Sequence, residues 1–113
     1  MIYLASPYTH KDPEIVQARY EAVRKHTAWM LSQSIWVYSP IVHCHDLAIS
    51  HKLPTDSQFW QAYNFHMIDL ADELQVLKLE GYEQSIGIMG EVGKANSILC
   101  PVTYVEPHDY IFS

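Results

Sequence analysis

The chain reads as an α/β domain, a parallel sheet with helices on both faces. Three features predict this. Short apolar runs at 2–5 and 74–79 have the length and composition of buried strands. Longer segments between such runs carry apolar residues at helical spacing and open on capping signals. The two kinds of segment alternate as β-α-β-α-β-α-β, a pattern that favours right-handed crossovers and a parallel sheet.

Ile2-Tyr3-Leu4-Ala5 predicts the first strand, followed by the loop Ser6-Pro7-Tyr8-Thr9-His10. Asp12-Pro13-Glu14 then supplies a capping carboxylate, a proline at the first helical position and an acid in the first turn. Ile15, Ala18, Ala22, His26 and Trp29, with Val16, Val23 and Met30 beside them, carry that helix to about residue 33. Ile35-Trp36-Val37-Tyr38 predicts a second strand, ended by Ser39-Pro40. The segment 41–51 is ambiguous and is expected to be loop with a short helix. Pro54-Thr55-Asp56 opens the next helix, with Phe59, Trp60, Tyr63, Met67 and Leu70 on its apolar side. Residues 74–79 predict the third strand, 81–84 a loop, 85–96 the last long helix and 97–102 the fourth strand. Thr103-Tyr104-Val105 extends that strand or makes a short edge strand.

The bulk numbers narrow the function classes. A length of 113 residues predicts one domain over 1–113, large enough for a core without disulfide or metal staples. Hydrophobic content of 49% and charged content of 18% describe a soluble globular chain. The net charge is −6 and the Lys and Arg residues form no cluster, so polymeric nucleic acid is not expected as a partner. Cys44 and Cys100 form no Cys-x-x-Cys pair and no secretory leader is evident, so both are expected as reduced thiols in a cytoplasmic protein. No apolar run approaches the ~20 residues of a membrane span.

Ligands of open parallel sheets bind beyond the carboxyl ends of the strands. On that edge fall Ser6 and Tyr8, then His43 and His45, then Tyr82 and Ser85, with Trp60 and Asn64 nearer to it than Asp69. Asp72 enters strand three at the opposite edge, which suits a salt bridge or a helix-end contact. The richest stretch is Ser85-Ile86-Gly87-Ile88-Met89-Gly90-Glu91-Val92-Gly93-Lys94-Ala95. Free N–H groups at a helix start following a strand attract anions. Gly87 and Gly90 each weaken a first turn by roughly 1 kcal/mol against Ala, which close approach to a ligand would justify. Glu91 stands on an otherwise apolar or small segment, where an unpaired buried charge is costly.

Each of these residues also has a plainer role open to it. Glu91 can pair with Lys94 on a helix surface, and Ser85 can be a simple N-cap. Trp60 and Tyr8 can be core aromatics as well as base-stacking groups. His43-Cys44-His45-Asp46 hints at metal, but its spacing fits no common zinc pattern, so no metal and no cofactor is expected.

With these residues placed, the chain resembles the nucleoside 2-deoxyribosyltransferase superfamily, and within it a small bacterial branch near the deoxynucleoside 5′-monophosphate N-glycosidases. Tyr3-Leu4-Ala5-Ser6-Pro7 is similar to that family's opening Tyr-Leu-Ala-Gly-Pro. Ser85-x-Gly87-x-x-x-Glu91-x-Gly93-x-Ala95 is similar to its signature around a catalytic Glu. The resemblance implies a flavodoxin-like (Rossmannoid) three-layer sandwich with a sheet of four to five strands. It implies that Glu91 attacks the anomeric carbon of a deoxyribosyl group, with Tyr3 near the sugar. Ser85, where transferases of free nucleosides typically carry Asp, suits a 5′-phosphate. Two residues depart from the pattern: Ser6 replaces a Gly, and Asn64 stands where the family usually has an Asp near the base. An amide cannot give up a proton as a carboxylic acid does.

The expected activity is therefore cleavage of the N-glycosidic bond of a (deoxy)nucleoside 5′-monophosphate, by hydrolysis or base transfer. Glu91, Asn64 and Tyr3 are the candidate catalytic residues. Ser6, Tyr8, His43, His45, Trp60, Ser85 and Gly87 are the candidate substrate contacts. From Ser85 to Glu91 the rise is ~9 Å along a helix, a distance a sugar phosphate spans. The alternative is a nucleotide sensor of the same fold with weak or no turnover. The resemblance also implies a homo-oligomer, dimer or tetramer, because relatives complete their sites with a neighbouring subunit.

Overall fold

The computed structural model describes residues 1–108, the side chain of Ser57 excepted; the last residues of the expected 1–113 domain lie outside that range. Its elements are β1 (Ile2–Ala5), α1 (Pro13–Ser32), β2 (Val37–Tyr38), α2 (Pro40–His51), α3 (Ser57–Leu70), β3 (Glu73–Leu77), α4 (Ile86–Ser97) and β4 (Val102–Val105), with a single 3-10 turn at Tyr82–Gln84. The four strands form one sheet in the order β2-β1-β3-β4, and every pairing is parallel. This is a flavodoxin-like three-layer sandwich, whose strand order reverses between β1 and β3.

Strand alternation divides the core between the two faces of the sheet. Tyr3, Ala5, Leu74 and Val76 point to one face, where Ile68 of α3 and Ile88 and Ala95 of α4 pack on them. Leu4 and Leu77 point to the other, under Val23 and Met30 of α1, with Ile41 and Val42 of α2 at the margin. Tyr3, Leu4, Leu74, Val76 and Leu77 are fully buried, as expected of central parallel strands covered on both sides.

Four local expectations are corrected. The third strand spans Glu73–Leu77 and not 74–79, because the Leu79 N–H turns back onto the Leu77 carbonyl at 2.8 Å. The segment 41–51 is not loop with a short helix but part of the twelve-residue α2. Ser39 caps it by accepting from the Val42 N–H at 3.1 Å, and Pro40 occupies its first turn. β2 is shorter than expected because Ser34 takes a left-handed φ of 60° and the Ile35 N–H returns to the Met30 carbonyl, ending α1 late. β4 begins at Val102, not Ser97. α4 runs on through Ser97, Leu99 adopts φ 60°, and the Cys100 N–H closes back on the Ala95 carbonyl at 2.8 Å. Pro101, lacking an N–H, still accepts from the Leu74 N–H and starts the ladder that Thr103 and Val105 continue.

Candidate functional site

A cleft of about 850 Å³ opens at the carboxyl edge of the sheet. That volume is ordinary for a small-molecule site, and its place matches the strand-order reversal between β1 and β3. Ser6, Tyr8, His45, Trp60, Asn64, Ser85, Gly87 and Glu91 all line it. The loop after β1 gives Ser6 and Tyr8, α2 gives His45, α3 gives Trp60 and Asn64, and the start of α4 gives the last three.

Glu91 stands on the second turn of α4, only 8% exposed. It does not pair with Lys94, whose ammonium instead meets Asp69 at 2.8 Å. Its carboxylate accepts a hydrogen bond from the hydroxyl of Tyr3, a residue that does not line the cleft but lies beneath it in β1. Burial pushes the Glu91 carboxyl up to about 7, and the Tyr3 hydrogen bond pulls the other way. Desolvation therefore outweighs the bond, and the group titrates near neutrality. Tyr3 is held well above the ordinary phenol range by its own burial and by the facing carboxylate, so it stays a donor.

Two polar atoms on the cleft wall are buried with no hydrogen-bond partner among the described residues: Ser6 Oγ and Asn64 Oδ1. Ser6 is 5% exposed. An unmade buried hydrogen bond costs about 1–3 kcal/mol, so orphans on a cavity wall mark places where a ligand completes the set. Ser85 takes the N-cap of α4, its Oγ accepting from the Ile88 N–H at 3.2 Å. Gly90, one turn into the helix, has open space where a Cβ would stand.

His43 and His45 part company. They are two apart on α2 and so face different ways. His45 turns inward: Tyr8 Oη lies 2.7 Å from its Nδ1, and the Tyr20 ring stacks on it at 3.8 Å. Burial lowers its pKa, only partly offset by the Asp46 and Glu21 carboxylates, which favours the neutral imidazole. His43 turns away from the cleft and bonds the Tyr63 hydroxyl at 3.2 Å with the rings stacked. Trp60 anchors its indole N–H on the Pro54 carbonyl at 2.9 Å and presents its ring to the cleft. Asp72 bonds the Met1 amino group at the far edge of the sheet.

Sequence reasoning missed one wall. Pro40, Ile41, Cys44 and Ala48 of α2 line the cleft. The signal was available: Ser39-Pro40 repeats the capping logic of Asp12-Pro13, and 40, 44 and 48 recur at helical spacing. Thr9, Gln58, Gln61 and Gln84 add polar groups that no motif marked. Among the described residues no group of three or more His, Cys, Asp and Glu is placed to hold a metal ion, and no helix is long and apolar enough to cross a membrane.

Comparison with curated proteins finds no match to the chain. A family model does match, over residues 1–106, and its description is a domain of unknown function, DUF1937. With all eight main elements of the fold inside that match, the chain belongs to the DUF1937 family.

Proposed function

We propose that the protein cleaves the N-glycosidic bond of a (deoxy)nucleoside 5′-monophosphate, by hydrolysis or base transfer, with Glu91 as nucleophile. The observation that carries this is the buried Glu91 carboxylate on the cleft wall, held by the Tyr3 hydroxyl and, among the described residues, by no cation. A carboxylate kept from water and from ion pairing is reactive toward a carbon that gains positive charge. Ser85 at the head of α4 offers the sugar phosphate a hydroxyl and a helix N-terminus.

In the proposed reaction, a Glu91 oxygen forms a bond to the anomeric carbon as the bond to the base nitrogen breaks. The base leaves with that electron pair and takes up a proton. Water, or a second base, then attacks the same carbon and Glu91 departs with its pair. Asn64 and Ser6, each with a buried polar atom that has no partner among the described residues, are the groups assigned to the base and sugar. Because Asn64 cannot donate an acidic proton, the proton comes from water or through the Tyr8–His45 pair, and slow turnover is expected.

The test is base release from a panel of deoxynucleoside 5′-monophosphates, followed by chromatography, with Glu91→Ala run beside the native chain. Release that disappears with Glu91 supports the proposal and names the base. Nucleotide binding without release in either protein supports a sensor of the same fold instead.

A further inference from the structure

The cleft described above adjoins another at Ser85. Thr9, Gln84 and Ser85 also line a second cleft of about 720 Å³, which runs between the start of α1 and the loop after β3. Among the described residues the first cleft has no Lys or Arg on its walls, and the second has one, Arg19. Arg19 lies at the junction. Its Nη1 donates to the Thr9 carbonyl at 3.0 Å and its Nη2 to the Glu80 carbonyl at 3.3 Å, tying the two loops that form the neck.

Arg19 forms no ion pair among the described residues. A guanidinium has five N–H donors, and two carbonyls leave the rest of the fork for a ligand. Gly81 keeps the place clear. Its φ is +92°, and a Cβ there would stand 2.4 Å from Arg19 Nη2. Beyond the neck the charge changes sign. Glu14 and Glu80 flank the second cleft, and neither carboxylate makes an ion pair among the described residues. Those acceptors repel a terminal phosphate and suit the hydroxyls of a neutral sugar.

Building on the proposed N-glycosidase reaction, we infer that the substrate is a nucleotide extended at its 5′ end, a nucleoside 5′-diphosphate carrying a second sugar. The first phosphate sits at Ser85, the second meets Arg19 in the neck, and the distal sugar occupies the second cleft. A bare triphosphate makes the same Arg19 contact with its second phosphate but sets its third against Glu14 and Glu80, so the gain cancels.

The test is calorimetric affinity in the full chain carrying Glu91→Gln, which keeps ligands uncleaved. Two series serve as probes, dTMP, dTTP and dTDP-glucose, and AMP, ATP and ADP-ribose. The diphosphate sugar is expected to bind about tenfold tighter than the monophosphate of its series, the worth of one charge-assisted contact, with the triphosphate no tighter than the monophosphate. Ala18→Trp, which fills the second cleft from an exposed turn of α1 and removes no polar group, is expected to erase that advantage and leave the monophosphate unchanged. Equal affinity for monophosphate and diphosphate sugar, or an advantage that survives Ala18→Trp, overturns the extension and leaves the glycosidase proposal standing. Binding of no member of either series overturns both.

Discussion

The hydroxyl of Tyr3 donates to the carboxylate of Glu91 across 88 positions of sequence, and both groups are buried. One comes from the first strand and the other from the last helix. The bond is the only polar support given to Glu91 among the described residues, and it is too weak to offset the loss of water around the charge.

The first consequence is thermodynamic. With its pKa raised to about 7, Glu91 binds a proton in the folded chain that the unfolded chain has already released. Stability therefore falls as pH rises from the ordinary carboxylate range through about 7, then levels off. Glu91→Gln, a neutral near-isostere, escapes this cost. It is expected to match the native chain near about pH 4 and to exceed it by roughly 3 kcal/mol above about pH 8. Thermal melts across that range check it; a gap that does not change with pH would contradict the buried, titrating carboxylate.

Tyr3→Phe keeps the buried ring and removes the donor. Glu91 then loses its one stabilising bond, so its pKa rises further. A hydrogen bond to a buried charge is worth about 1.5–3 kcal/mol, so the rising limb of kcat/KM for base release is expected to move about 1–2 pH units toward alkali. A pH–rate profile at fixed substrate reads it. An unshifted limb would mean that another group ionises.

Ser6→Ala separates folding from binding. The Ser6 hydroxyl is buried without a partner among the described residues, so deleting it is expected to raise stability by about 1 kcal/mol in the free protein. Monophosphate affinity is expected to fall about tenfold in the same variant. Denaturant melts and calorimetry report the two halves. Lower stability would show that the hydroxyl serves the fold and not a ligand.

Asn64→Asp places a carboxyl group on the α3 wall of the cleft. Base release is expected to rise by about 10²-fold, the lower range for a positioned general acid, and to gain a falling limb at high pH. A rate equal to that of the native chain would remove Asn64 from the chemistry.

The fold class was legible because its signals are local and repeated. Asp12-Pro13 announces α1, Asp56 caps α3, Ser85 caps α4, and the apolar run at 74–79 holds most of β3, which ends at Leu77. Alternation then makes parallel pairing the natural arrangement. The errors fall where a short apolar run has two readings. Ser97-Ile98-Leu99-Cys100 has strand composition, yet it is the end of α4 and its turn, with Leu99 90% exposed. Periodicity alone does not separate the two. In α2 the polar string His43-Cys44-His45-Asp46 interrupts the apolar pattern, because one side of that helix faces the cleft.

Within the site, the sequence edge rule gathered Ser6, Tyr8, His45, Trp60, Asn64 and Ser85, since it needs only the strand order. The Tyr3–Glu91 bond was out of its reach. Tyr3 was expected near the sugar, and only the register of β1 beside β3 shows its hydroxyl beneath α4. Likewise, His43 and His45 are equivalent in sequence until α2 is known to be a helix that turns one of them outward.

Every strand pairing among the described residues joins segments separated by at least one helix, and none is closed by a tight hairpin. Long closures precede any reward from such contacts, which slows assembly. β1, made first, meets β3 only after three helices have been laid down, and Glu91 arrives later still. The cleft is thus a late product of folding. Before α4 docks the carboxylate is hydrated and ionises as an ordinary side chain, so its raised pKa belongs only to the assembled fold.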